Sequence, residues 1–532
     1  MVRPRNTPMS TAIHSGVVQV MRRSIAVILN VATLLWKSAA ARADHPAIVE
    51  GGGVTDYATL QRRAVGIAAA LTAAGIRAYD RVGIFLAGGA DGVAAFFGVA
   101  AAGGVAVVIN ESLRPRQVEH ILEVAGARAL LTSEDLLARQ PRRIETPSRI
   151  LLVHELAGGA TASYTPAART GMDPAQIVFT SGSTGLPKGV TVTHGNLLTA
   201  AETVIGYLGI TQSDRIASVL PFSFVYGMSQ VFCAAASGAT LVVARSPLAS
   251  QLVTELRAQR VSVLAAVPPL WQQLLNVPAF RDEPLDSLRI ATNAGGHLPV
   301  PIVRALRRAQ PHARLFLMYG LTEVLRSTFL PPEEVDRRPD SMGKAIPGAE
   351  VLVLRADLTP CAPGEVGELV HRGPTVTLGY WNDPEATARV FRPHPLRTAG
   401  VPDAERVVFS GDLVRQDADG WLYFVGRSQR MIKTLGYRVS PDEIATVVYA
   451  SGEVAECIIT SEPDDARGER IVAFVVLAGG GSLERLKLYA GVELPRHMQP
   501  VRYEVRDTLP RLPSGKHDIG ALRGESKQGA LG

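Results

Sequence analysis

"FTSGSTGLPKGVTVTHGNL", residues 179–197, decides how the rest of the chain is read. It carries Gly182, Gly185 and Gly189, the hydroxyls of Thr180, Ser181, Ser183 and Thr184, and one lysine, Lys188. Runs of this kind hold phosphates through backbone N–H groups. The spacing excludes a P-loop, G-x-x-x-x-G-K-[ST], because Pro187 precedes Lys188 and Gly189 follows it. "QIVF" reads as a buried strand before the loop. "LLTAAETVIGYLG" reads as an amphipathic helix after it, with Asn196 as its cap. Strand, loop and helix fit a phosphate nest. Taken alone, the run equally fits a flexible Gly/Ser loop, so the other segments must decide.

The strands and helices around it alternate. "RVGIFLA", "VAVVIN" and "ARALLT" read as strands, with "DGVAAFFGVAAAG" and "RPRQVEHILEVAG" as the helices between them. A second alternating block follows the loop: "ATLVVA", "LASQLVTELRAQR", "VSVLAAVP", "LRIATNAGG", "VPIVRALRRAQP", "ARLFLMYG". Nearly continuous apolar strands belong in parallel sheets covered on both faces. From about residue 341 short strands with Gly/Pro turns predict a small β-barrel. The expected fold is α/β: a large N-terminal domain of two parallel-sheet subdomains plus that barrel, and a small mobile α+β C-terminal domain. The boundaries follow: a loose extension over 1–25, the N-terminal domain over 26–428, and the C-terminal domain over 429–532, with "GRSQR" as linker.

Composition narrows the function classes. The 532 residues are 47% hydrophobic and 20% charged, an ordinary globular balance. The net charge of +6 comes from basic residues spread out with few aromatics between them. That favours a solvated surface over a nucleic-acid groove. Cys233, Cys361 and Cys457 lie far apart and show no disulfide or zinc pattern, which suggests a reducing, cytoplasmic setting. "MRRSIAVILNVATLLWKSAAARA", residues 21–43, has the look of a signal peptide. Asn30, Thr33 and Lys37 interrupt its apolar run, and it reads better as a first helix. No transmembrane segment is expected.

Six further stretches appear in order: "NAGGHLP" (293–299), "MYGLTEV" (318–324), "GELVHRGPTVTLGYWND" (367–383), "SGDLVRQDADGWLYFVGR" (410–427), "MIKTLGYRVSPDEIA" (431–445) and "LPRLPSGKHD" (509–518). Together with the loop they resemble the adenylate-forming superfamily of acyl-CoA synthetases, peptide-synthetase adenylation domains and beetle luciferases, over roughly residues 30–520. The resemblance implies an AMP-forming acid:thiol ligase of the acyl-CoA synthetase branch. A carboxylate attacks the α-phosphorus of ATP, pyrophosphate leaves, and CoA or a phosphopantetheine on an acyl carrier protein takes the acyl group.

It also implies roles. Thr180, Ser181, Gly182, Ser183, Thr184, Gly185 and Lys188 would hold the β- and γ-phosphates. Tyr319 and Gly320 would flank adenine, and Thr322 would touch the α-phosphate. Glu323 with Thr184 would hold Mg²⁺, a hard ion suited to oxygen ligands. Asp412 would take the ribose hydroxyls and Arg427 ribose or phosphate. Phe224, Val225, Tyr226, Gly295 and Gly296 would line the acid pocket. Lys516 would bridge carboxylate and α-phosphate, and Lys433 and Gly436 would face the thiol tunnel after the C-terminal domain rotates. Gln429 stands where the family usually has an aspartate or lysine pivot. Bland readings compete: "YGLTE" as a helix start capped by Thr322, Asp412 as a turn aspartate, Arg427 as a surface arginine, and Lys516 as a solvated lysine. An amino-acid-activating enzyme is the rival within enzymes, since such members place an aspartate where Val225 stands. A silent nucleotide-binding scaffold is the rival outside them.

Overall fold

A computed structural model describes residues 29–156, 164–180, 188–397, 400, 405–427, 431–434, 437–464, 468–512 and 517–523. The expectations at Ser181, Gly182, Ser183, Thr184, Gly185, Gln429, Gly436 and Lys516 lie outside these residues, as does the side chain of Lys433.

Three sheets organise the chain. A seven-stranded sheet runs Gly379–Tyr380, Lys188–Thr193, Pro174–Thr180, Val105–Ile109, Arg81–Phe85, Ala127–Thr132, Arg149–Leu152. From Pro174–Thr180 onward its strands are parallel. Val105, Val107 and Ile109 fill the core on one face, and Ala106 fills the core on the other. Burial on both faces explains why these strands read as unbroken apolar runs.

A fourteen-stranded sheet has a parallel centre, Arg314–Tyr319, Ile290–Asn293, Val263–Ala266, Arg215–Ser218, Thr240–Val243, Pro46–Glu50. The strands expected as a barrel instead continue this sheet as an open antiparallel run. The order is Ser341–Ala345, Leu422–Arg427, Arg406–Gln416, Val366–Arg372, Glu350–Leu354. Ser341–Ala345 is the splice: it pairs with Thr328–Leu330 on one side and with Leu422–Arg427 on the other.

The C-terminal sheet has five strands. Helices Pro441–Ala450 and Leu483–Glu493 cover one face, with Ile444, Val448, Leu486 and Ala490 against Cys457, Ile459, Ala473 and Val475. The alternate residues Ile458, Val472 and Phe474 pack on the other face with Leu509.

Two local expectations change. The helix after the loop is His194–Leu208 and its cap is Thr193, whose Oγ1 accepts from Asn196 N at 3.0 Å. Asn196 sits at the third helical position and closes the capping box by accepting from Thr193 N at 3.0 Å. The loop does not lead straight into this helix either. It returns into the antiparallel strand Lys188–Thr193, with Lys188 opposite Thr180. The alternation in "GVTVT" is a strand signal.

In the first helical segment the helix is Thr33–Ala41. Asn30, which breaks the apolar run in sequence, is fully buried. It donates to Ala100 O at 2.7 Å and Ala167 O at 3.0 Å. Among the described residues no helix is long and apolar enough to cross a membrane.

Candidate active site

The site lies where the large sheet ends its parallel section. Tyr319 closes the strand Arg314–Tyr319. Its hydroxyl donates to Asp412 Oδ2 at 2.5 Å. Arg427 Nε donates to Asp412 Oδ1 at 2.7 Å, and the two residues face each other across the ladder. Asp412 is therefore no turn residue: it sits within the strand Arg406–Gln416 and is 0% exposed. A bulge puts it there. Phe409 pairs with Val370 and Leu413 with Glu368, so residues 410–412 stand opposite one partner position. Gly411 takes φ +69°, a conformation that favours glycine. Its N–H donates to Glu368 Oε1 at 2.9 Å. Ser410 Oγ accepts from Asp412 N at 3.1 Å. Burial and the Asp412 carboxylate hold the Tyr319 hydroxyl well above its ordinary pKa, so it stays a donor.

Tyr319 is backed by His371, ring to ring at 5.8 Å. His371 shares a 2.5 Å hydrogen bond with Ser327 Oγ through Nδ1, and burial pushes its pKa down to about 3. A neutral imidazole thus supports one face of the tyrosine ring.

Thr322 and Glu323 occupy the centre of a tight turn. Leu321 N donates to Val324 O at 3.0 Å, and Val324 N to Leu321 O at 3.3 Å. The next strand, Thr328–Leu330, follows with no helix between, so Thr322 caps nothing. Gly320 is tightly surrounded: a Cβ there would meet Leu325 O at 3.1 Å and Val324 O at 3.3 Å, so a side chain would need these carbonyls to give slightly. Glu323 is tied to the strand Lys188–Thr193 through residues the sequence did not single out. Tyr380 OH donates to Glu323 Oε1 at 2.6 Å. Lys188 Nζ lies 5.7 Å from the Tyr380 ring centroid and 3.2 Å from Asp383 Oδ2. Thr377 holds the Glu323 carbonyl by its N–H and its hydroxyl, both at 3.0 Å. Tyr380 and Asp383 lie in "GYWND", a dense aromatic and polar cluster that carries a signal of its own.

Around the acid pocket, Phe224 precedes the helix Val225–Ser237 as its N-cap residue. Val225 lines a narrow cavity with Val178, Met228, Ser229, Phe232 and Arg326 among its other walls. Tyr226 does not line it. Its hydroxyl is engaged with Thr292, at 2.6 Å to Oγ1 and 2.9 Å to O, which fixes the helix to the strand Ile290–Asn293. Gly295 and Gly296 follow that strand and are exposed. Gly295 takes φ +79°. Thr180, Lys188, Tyr319, Gly320, Thr322, Glu323, Asp412 and Arg427 thus belong to one connected neighbourhood of the fold. Lys433 lies on a separate hairpin of the C-terminal sheet, Ile432–Thr434 paired with Tyr437–Val439.

These features coincide with a known family. The AMP-binding enzyme family matches residues 35–381, and the AMP-binding enzyme C-terminal domain matches 443–516. The chain belongs to the AMP-binding enzyme family, within the adenylate-forming superfamily, and is an adenylate-forming enzyme. It is 31% identical to a linear gramicidin synthase of Brevibacillus parabrevis over 88% of its own length, and spans only 9% of that protein. It is 28% identical to a Long-chain-fatty-acid–CoA ligase of Salmonella typhimurium, covering 93% of this chain and 94% of the ligase. The O-succinylbenzoate Coenzyme A synthetase of Bacillus subtilis, solved with ATP and magnesium ion, superposes with a TM-score of 0.79 at 28% identity. That match covers 91% of this chain and 98% of the other.

Proposed function

We propose that the chain is an AMP-forming acid:thiol ligase that activates an acyl or aryl carboxylate and passes it to CoA. A carboxylate oxygen attacks the α-phosphorus of ATP and pyrophosphate leaves with the electron pair of the broken P–O bond. The CoA thiol, losing its proton, then attacks the acyl carbon and AMP leaves. The phosphopantetheine of an acyl carrier protein presents the same thiol.

The residues fit Mg–ATP by their chemistry. Lys188 supplies a cation beside the glycine-rich loop, and Thr180 a hydroxyl at its edge. Glu323 supplies one hard oxygen ligand, which suits Mg²⁺, an ion held by one or two carboxylates plus substrate phosphates. When bound, the ion neutralises phosphate charge. Tyr319 offers a ring face to adenine, and Asp412 offers acceptors to the ribose hydroxyls. Thr184, Lys516, Lys433 and Gly436 keep the roles that the resemblance implies.

One observation carries the choice of acid. The helix start that meets the cavity is Val225, and no carboxylate lines that cavity among the described residues. An α-ammonium beside the Val225 helix start meets no carboxylate there and lies near the buried Arg326 cation, which costs several kcal/mol. The test is kcat/KM for matched pairs, a simple acid against its α-amino counterpart. We expect the amino acid to lose by roughly a hundredfold, and Val225→Asp to narrow the gap. A wild-type preference for the amino acid would replace this reading with amino-acid activation.

A further inference from the structure

Arg326 is the unexpected wall of the acid cavity. It lies three residues after Glu323, is 4% exposed, and faces apolar neighbours: Val225, Met228, Phe232 and Leu325 line the same space. Its Nη1 donates to Leu325 O at 3.1 Å and its Nη2 to Ser229 Oγ at 2.7 Å. Its Nε is buried with no hydrogen-bond partner among the described residues. Its guanidinium carbon lies 5.1 Å from the centroid of the Tyr226 ring. None of its contacts is a carboxylate among the described residues. The titratable groups nearest to it are Tyr207, whose hydroxyl is within hydrogen-bonding reach of the guanidinium, Tyr226 and Cys233, all held neutral by burial.

A buried cation is normally paired, because desolvation costs more than one face-on ring and two neutral acceptors return. Arg326 therefore resembles half of an ion pair. No described residue supplies the missing half, and the cavity beside Arg326, about 20 Å³ here, has room for a small polar group rather than a whole acid. The bulk of the substrate would lie elsewhere, and only its end would reach Arg326.

We infer that the acid carries a second anionic group, a carboxylate on its far end, received by the guanidinium of Arg326. This rests on the acyl-acid reading above and narrows it: the substrate is a dicarboxylic acid, activated at one end and anchored at the other. A guanidinium matches a carboxylate with two parallel N–H donors, and the unpartnered Nε leaves Arg326 with a donor unused.

The experiment is ATP–pyrophosphate exchange by the full chain with matched pairs of equal carbon skeleton. Straight-chain monocarboxylic acids are compared with the corresponding α,ω-dicarboxylic acids, and benzoate with its para-carboxy counterpart. We expect the best diacid to exceed its monoacid in kcat/KM by roughly tenfold to a hundredfold, the range set by one buried charged hydrogen-bond pair. Arg326→Met should invert that order while leaving KM for ATP within a few fold. The wild-type comparison needs no variant, so a misfolded Arg326→Met does not spare the inference. Robust exchange with monoacids and none with diacids would overturn it and leave the acyl-acid reading intact. Exchange with amino acids alone would overturn both.

Discussion

Replacing Lys516 by alanine is expected to slow acyl-adenylate formation by roughly two to three orders of magnitude while leaving thioester formation from supplied acyl-AMP nearly unchanged. Adenylation brings two anions together, and charge builds on the α-phosphate as the carboxylate attacks. A positioned donor at such a centre is worth about 3–4 kcal/mol of barrier. An ammonium on a flexible stem suits a residue that must arrive for one step and withdraw for the next. Thioester formation has a different demand, since the thiol must reach the acyl carbon and AMP must leave. Lys433→Ala or Gly436→Leu should therefore show the opposite pattern, with pyrophosphate exchange kept and thioester lost. The readouts are ATP–pyrophosphate exchange for the first step and single-turnover thioester yield from acyl-AMP for the second. Equal loss in both steps for Lys516→Ala would count against alternation of the C-terminal domain.

The second large effect is at Asp412. Asp412→Ala removes the acceptor of two bonds, from Tyr319 OH and Arg427 Nε. The Tyr319 hydroxyl is then left without its partner, which costs about 1–3 kcal/mol. Arg427 is different: its side chain is 44% exposed, so its charge rehydrates and adds little to the stability loss. Binding suffers more, because the ribose acceptor and the brace on the Tyr319 ring go together. The expected result is a fall in kcat/KM for ATP of about a hundredfold or more, a Tm lowered by a few degrees, and an intact fold. Asp412→Asn can keep both partners, because the Tyr319 hydroxyl can accept from the amide, but it removes the charge opposite Arg427 and an acceptor for the ribose hydroxyls, so it should weaken ATP binding with little loss of Tm. A variant with lowered Tm and wild-type KM for ATP would reduce Asp412 to a structural residue.

Much of the fold was legible because its signals are local. "VAVVIN" and "ARALLT" gave strands within a residue or two of Val105–Ile109 and Ala127–Thr132. What failed depended on distant partners. Nothing near residue 341 shows that Ser341–Ala345 bridges to Thr328–Leu330 and so opens the expected barrel into a continuous sheet. Local pattern points to Asn196 as the cap of the helix His194–Leu208 rather than Thr193, because the short strand Lys188–Thr193 is hard to tell from the glycine-rich run that precedes it. At the site, ordered motifs located Tyr319, Glu323, Asp412 and Arg427, but not their supports. Tyr380 reaches Glu323 across 57 residues, and His371 lies 44 residues from Ser327, separations that no local pattern encodes. Arg326 was hidden for another reason. In "TEVLRST" it looks like an ordinary surface arginine, and only its burial makes it a question.

The most direct test of the account is a product balance for the unmodified chain. It is incubated with ATP, Mg²⁺, CoA and its preferred acid, and nucleotides, pyrophosphate and thioester are quantified together. The account predicts AMP, pyrophosphate and acyl-CoA in equal amounts, with AMP release dependent on the acid. ADP and inorganic phosphate in place of AMP and pyrophosphate would contradict it, because the attack would then fall on the γ-phosphorus.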